Sequence, residues 1–157
     1  AGAFITLPEH IVQGNTRPGS RLAQQGAKLW QRIQNNNDIM KNNICPAFID
    51  FEASSLDLIA GYPIEVGVCM PDGQLHSWLI QPHVLWLDWS ESAERIHGIS
   101  RDRLKREGRP VSEVASALNR LLAGQVFCDA WAFDSFWLHR LYKTAAIRPQ
   151  FQLESIS

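Results

Sequence analysis

Cysteine is scarce in this chain. Cys45, Cys69 and Cys128 are the three among 157 residues, and none stands in a Cys-x-x-Cys pair or another metal-ligand spacing. A dispersed, odd-numbered set argues against a disulfide framework and against a zinc cluster, and predicts buried reduced thiols in a cytoplasmic protein. Long apolar runs are missing as well: nothing approaches the ~20 residues of a membrane-spanning helix, so no membrane partner is expected. No charged segment followed by an apolar run marks a signal peptide at the N-terminus. Charge of one sign is also lacking, with 15 Lys and Arg against 16 Asp and Glu for a formal net charge of −1. With no global positive field, any binding of nucleic acid has to come from a local patch.

What is present is ordinary globular material, 45% hydrophobic and 20% charged, in a length that suits one domain. Residues 1–43 read as an N-terminal arm and helix, and residues 44–157 as the compact domain. The first 18 residues carry Gly2, Pro8, Gly14 and Pro18 without periodicity, an irregular arm. From Ser20, Leu22, Leu29, Trp30 and Ile33 fall on one helical face until Asn35-Asn36-Asn37 ends the run. This helix has to pack on the domain, a second subunit or another protein. Its Arg21, Lys28 and Arg32, with Arg17 before it, suit a docking role.

The domain opens with a strand over Ala47–Glu52, a second over Pro63–Met70 and a third over Leu75–Ile80, with Pro71-Asp72-Gly73 as a hairpin turn between the last two. The period then changes. Pro110 and Ser112 open an amphipathic helix with Val114, Ala115, Leu118, Leu121 and Leu122 on one face, closed by Gly124. Gln125–Asp129 reads as a fourth strand, Asp134 to Ala145 as a further helix, and Phe151–Ile156 as the start of a fifth strand. A meander followed by alternating helix and strand predicts an α/β domain with a mixed five-stranded sheet flanked by helices.

Asp50 and Glu52 are the sharpest chemical feature. Two residues apart on a strand, they share a face with Cα atoms about 6.6 Å apart. Such a pair either binds a cation or sits at a solvated strand end, because burying unpaired carboxylates is costly. Asp134 opens a helix whose Trp137, Leu138 and Leu141 follow at i+3, i+4 and i+7, so it projects from the core-facing side. Its alternative role is a helix N-cap.

The string Phe48-Ile49-Asp50-Phe51-Glu52-Ala53-Ser54-Ser55-Leu56 resembles the first motif of the DEDDh 3′→5′ exonucleases, a family that includes polymerase proofreading subunits, ribonuclease T and oligoribonuclease. Pro63-Ile64-Glu65-Val66-Gly67 is similar to its second strand, and Trp78-Leu79-Ile80-Gln81-Pro82 to the end of its third. Ile96-His97-Gly98-Ile99-Ser100 resembles its His-Gly-Ile element, and Asp129 through Leu138 its second exonuclease motif. The resemblance covers residues 47–157 and implies a ribonuclease H-like exonuclease fold. It further implies hydrolysis of phosphodiester bonds at the 3′ end of single-stranded DNA or RNA, releasing 5′-mononucleotides. Asp50, Glu52 and Asp134 would be the catalytic carboxylates and the ligands of two Mg²⁺ or Mn²⁺ ions. Ala53, Ser54 and Ser55 would lie beside the terminal nucleotide, where the family often has Thr-Thr-Gly. The family's third motif, His-x4-Asp, is absent: the residues after Asp134 hold His139 and no Asp. The resemblance therefore implies a longer natural protein, with poor metal binding and cutting by these residues alone. A catalytically silent nuclease-fold module that binds nucleic acid or a protein is the alternative.

Further candidates are His97, as a substrate contact or a loop-stabilising hydrogen-bond partner in a loop near the cleft, and the basic cluster of Arg95, Arg101, Arg103, Lys105, Arg106 and Arg109. That cluster would attract phosphates if it borders the cleft, and otherwise is a solvated loop and helix. Trp78 and Trp131 fit strand or core positions, whereas Trp86 and Trp89 are harder to bury and would stack bases or a partner.

Overall fold

The computed structural model describes residues 21–35 and 46–156. The expected irregular arm, Arg17, Cys45 and the predicted domain start at Ile44 lie outside that range, as do the side chains of Trp30 and Ile33. Helix α1 (Arg21–Gln34) precedes strands β1 (Ala47–Ala53), β2 (Pro63–Cys69) and β3 (Leu75–Leu79). Helices α2 (Glu91–His97), α3 (Arg101–Glu107) and α4 (Val111–Leu121) follow, then β4 (Gly124–Cys128), α5 (Trp131–Ala145) and β5 (Phe151–Ser155).

The five strands form one sheet in the order β3-β2-β1-β4-β5. β1 and β2, and β2 and β3, pair antiparallel, while β4 runs parallel to both β1 and β5. The meander, the hairpin and the parallel second half are as the sequence predicts. At the hairpin, Gly73 takes φ 87° and its N–H donates to Met70 O at 2.8 Å, a left-handed conformation that glycine adopts without strain. Between Glu52 and Ala53 the β1–β2 register shifts, so the strand is irregular just where its two acids end.

Alternation along β1 gives each face its own partner. Ile49 and Phe51 point to the side covered by α4 and α5, in a core with Ile64, Val66, Val68, Leu118, Trp137 and Leu141. Burying each such side chain contributes about 1.5–3 kcal/mol. Phe48, Asp50 and Glu52 point to the opposite side, where α1 lies across β1, β2 and β3. α1 fits there because Leu22 and Leu29 are buried and Gly67 of β2 leaves space for Leu22: a Cβ on Gly67 would stand 3.3 Å from Leu22 Cβ. The N-terminal helix thus docks on its own sheet.

Three local expectations are corrected. The segment carrying His97 is not a loop but two short helices, each with a serine cap: Ser90 Oγ accepts from Ala93 N–H and Ser100 Oγ from Arg103 N–H. α5 starts at Trp131 rather than Asp134, with Ala130 as a cap that offers no side-chain bond, so Asp134 sits inside the first turns and is not the N-cap. Trp86 is buried, stacked on Tyr62 with ring centroids 5.2 Å apart, and Trp89 is half-buried and donates to Glu94 Oε1 at 3.1 Å, whereas Trp131 is exposed. Both tryptophans are used in folding, and Arg101 clamps the segment that carries Trp86. Its guanidinium donates to Trp86 O at 2.8 Å and to the Tyr62 hydroxyl, and lies 5.7 Å from the Tyr62 ring centroid.

Candidate functional site

The carboxyl end of β1, the start of α5 and one side of α1 enclose a cleft of about 550 Å³. Asp50, Glu52 and Asp134 all line it, joined by Asp129 just beyond β4. The local logic differs for each. Strand alternation puts Asp50 and Glu52 on one face, while Asp134 is carried in on the helix that returns over the end of β1. Asp129 continues the β4 alternation Gln125, Phe127, Asp129, and Phe127 is level with Phe48 on β1, so it emerges on the same side as the pair.

Concentrating acids in a partly dry cleft disfavours their charged forms. Burial first, and then the Asp50 charge, pushes the Asp134 carboxyl up to about 8 despite a hydrogen bond from the Ala130 backbone. Burial pushes Asp50 up to about 7, opposed by the Phe51 N–H that donates to its Oδ1 at 2.9 Å and reinforced by Glu52. Cys128 stands near enough to feel both aspartates, and burial followed by those charges pushes its thiol up to about 12, so it remains neutral. Glu65, directly opposite Glu52 across the β1–β2 ladder, is a further buried carboxyl, which a lone acid in an apolar strand does not by itself signal.

The donor set suits a hard divalent cation. It consists of carboxylate oxygens, and Asp134 Oδ2 is buried with no hydrogen-bond partner among the described residues. The acids are not drawn into a closed cage: among the described residues, no three Asp, Glu, His or Cys side chains form a group that could hold one ion. Residues of α1 engage them instead. Arg21 Nη1 lies 3.5 Å from Glu52 Oε2, and Arg32 Nη1 lies 3.0 Å from Asp129 Oδ2. Gln25, with its amide oriented to satisfy its neighbours, donates to Asp50 Oδ2 and accepts from Arg21 Nε at 3.2 Å.

The other sequence candidates divide. Ala53, Ser55 and His97 line the cleft. His97 also holds the junction between α2 and α3, since its Nδ1 accepts from Ile99 N–H at 3.1 Å and its ring meets Trp89 edge to face. Ser54 lies outside the cleft lining and is fully buried: Oγ donates to Asp88 Oδ2 at 2.8 Å and accepts from Tyr62 N–H at 3.1 Å. None of the six basic residues between Arg95 and Arg109 lines the cleft, and Arg103 is paired with Glu107 at 2.6 Å. His139 is exposed on α5, as the sequence suggests. The positive wall of the cleft comes from α1, whose arginines and lysine suit partner docking when only the sequence is considered.

No family model and no curated protein matches the sequence. Solved structures do match in shape. A product-bound exonuclease I superposes with a TM-score of 0.60 at 13% identity, covering 70% of this chain and 29% of that one. Escherichia coli exonuclease I in complex with a dA16 oligonucleotide gives 0.60 at 14% identity, covering 70% and 27%. An exonuclease I structure described as suggesting how processivity is achieved gives 0.60 at 13%, covering 70% and 28%. The chain therefore spans under a third of the length of these neighbours. The likeness shows the fold, a mixed five-stranded α/β sheet with flanking helices, which this chain shares with exonuclease I. Among the described residues, no helix is long and apolar enough to cross a membrane.

Proposed function

We propose that the protein is a metal-dependent 3′→5′ exonuclease that hydrolyses phosphodiester bonds at the 3′ end of single-stranded DNA or RNA and releases 5′-mononucleotides. The observation that carries this reading is the meeting of Asp50, Glu52 and Asp134 in one cleft from two distant chain segments, with a buried Asp134 oxygen that has no partner among the described residues. A buried set of like charges is unfavourable unless a cation accompanies it. The fold it shares with exonuclease I, solved with oligonucleotides, supports the same reading.

In this proposal Asp50, Glu52 and Asp134 would hold two Mg²⁺ or Mn²⁺ ions, which would supply an activated water nucleophile at neutral pH and charge stabilisation at the departing 3′ oxygen. The protein's own residues position the strand end. Ala53, Ser55 and His97 line the cleft with the acids, while Leu56, Ile96 and Phe133 add apolar surface that bases can contact. Ser54 acts through position: its two hydrogen bonds fix the backbone that carries Ala53 and Ser55.

The engagement of Glu52 by Arg21 and of Asp50 by Gln25 favours the second reading, a nuclease-fold module that binds strands without cutting them. One assay separates the two. The natural full-length chain and its Asp50→Ala variant are incubated with 3′- and 5′-labelled single-stranded DNA and RNA in Mn²⁺. Release of 5′-mononucleotides from the 3′ end by the wild type alone supports the exonuclease. Binding of the strands with no release in Mn²⁺ or Mg²⁺ leaves the silent module as the account.

A further inference from the structure

The inner side of α1 carries a regular polar stripe. Arg21, Gln25, Lys28 and Arg32 recur at intervals of four, three and four residues, which stacks them on one helical face, and all four line the cleft. The adjacent stripe, Leu22, Gly26 and Leu29, faces the sheet: Leu22 and Leu29 are buried, and a Cβ on Gly26 would touch Leu75 Cδ2 at 3.4 Å. Helix α1 is thus fastened by one stripe and presents the other to the cleft. At 1.5 Å of rise per residue the polar stripe runs about 16 Å, long enough to follow several phosphates of an extended strand.

We propose that this stripe is the backbone-binding wall of the cleft, holding the phosphates of a single-stranded nucleic acid whose 3′ end lies on Asp50, Glu52 and Asp134. The inference rests on the exonuclease reading and adds to it the part of the protein that grips the strand. Acids alone repel a polyanion, so a cleft that takes one needs fixed cations along its length. Among the described residues, the lysine and arginines that line this cleft are Arg21, Lys28 and Arg32. Their present partners are weakly held. The Arg32–Asp129 pair is solvent-exposed on both sides, 62% and 53%, and exposed pairs of this kind contribute little. Arg21 meets Glu52 only at 3.5 Å and leaves 43% of its own side chain in solvent. Lys28 is exposed between them. A phosphate offers each a charge-assisted hydrogen bond in exchange.

The test is binding of a 5′-fluorescein single-stranded oligonucleotide, followed by anisotropy across a salt series. Ca²⁺ replaces Mn²⁺ in the binding buffer, and cutting is measured separately in Mn²⁺. The full-length wild type is compared with Lys28→Ala/Arg32→Ala, with Lys28→Arg/Arg32→Lys, and with Lys105→Ala/Arg106→Ala, which removes the same charge from exposed positions on α3 outside the cleft. For a single strand, each phosphate left without its cationic side chain lowers the slope of log affinity against log salt by about 0.7. The α1 alanine pair is therefore expected to bind about tenfold more weakly at moderate salt, with a slope smaller by about 1.4. The charge-preserving pair should bind as the wild type does, and the α3 pair should keep the wild-type slope. If wild type binds and cuts while the α1 alanine pair binds with unchanged slope, the wall is refuted and the exonuclease reading stands. An equal loss in the α3 pair assigns the effect to the general field and also refutes the wall. If wild type neither binds a strand in Ca²⁺ nor cuts one in Mn²⁺, both proposals fall.

Discussion

Ser54 and Asp88, 34 residues apart, are joined by a 2.8 Å hydrogen bond from the serine Oγ to the aspartate Oδ2. The same Oγ accepts from Tyr62 N–H, and Ser90 N–H donates to Ser54 O at 3.1 Å, so one buried serine ties the end of β1 to two loops. Ser54→Ala leaves the Tyr62 N–H without its acceptor and is expected to cost about 1–3 kcal/mol of stability. Urea denaturation should show the loss, while the salt slope of strand binding stays at the wild-type value because Ser54 lies outside the cleft lining.

The acids of the cleft set an unusual pH dependence. In the unfolded chain Asp50 and Asp134 ionise near 3.8, whereas in the fold they keep their protons to about 7 and about 8. Between these values the unfolded state has lost protons that the folded state retains. Their contribution to stability is therefore fully present below about pH 4, falls as pH rises and levels off above about 8. Thermal melts in EDTA should show a higher Tm at pH 5 than at pH 8. Asp134→Asn should reduce that difference and raise stability at pH 8 by about 1–3 kcal/mol.

Divalent cations should reverse the loss at high pH. A ligand that binds only the folded state at 100 times its Kd adds about 2.7 kcal/mol. For a chain of this size that corresponds to a Tm increase of about 5–10 °C in saturating Mn²⁺ at pH 8. Asp50→Asn and Asp134→Asn should each abolish most of the increase. Ca²⁺ and Mg²⁺ titrations of the same variants distinguish a site that prefers the smaller ion from a general response to ionic strength.

Removing a cleft carboxylate should be far more damaging to cutting than to folding. Asp50→Ala and Glu52→Gln are each expected to lower the rate of 5′-mononucleotide release at least about 100-fold, equivalent to about 2.7 kcal/mol of barrier. Far-ultraviolet circular dichroism should remain that of the wild type. Retention of full activity by either variant would remove these acids from the chemistry.

Gly61 gives a purely steric control. A Cβ there would stand 2.5 Å from Asp57 O and 3.0 Å from Trp137 Cη2, and the carbonyl is fixed because it accepts from Gly61 N–H at 2.7 Å. Gly61→Ala should cost about 1–3 kcal/mol by displacing the turn from the Trp137 ring. Hydrogen exchange should localise the loosening to residues 54–62 and the start of α5.

The sequence by itself determined what depends on near neighbours along the chain. The period of two in Phe48-Ile49-Asp50-Phe51-Glu52 puts both acids on one face whatever surrounds the strand, and Pro71-Asp72-Gly73 forces the hairpin. Serines at 90 and 100 and glycines at 98 and 108 are the local signals of α2 and α3, although the His97 segment reads as a loop in the sequence. Tertiary structure alone decided which segments meet. The start of α5 at Trp131 follows from packing of Trp137, Leu138 and Leu141 against the core rather than from a capping side chain, and that packing is what delivers Asp134 to Asp50. Of the two basic segments, the sequence suggests Arg95 to Arg109 for the cleft and α1 for docking a partner, and the fold reverses this. The choice was made by Leu22 and Leu29 filling the sheet face beside Gly67, which turns Arg21, Lys28 and Arg32 toward the acids, while Arg101 is drawn to Tyr62 and Trp86 and its neighbours on α3 are left outside the cleft.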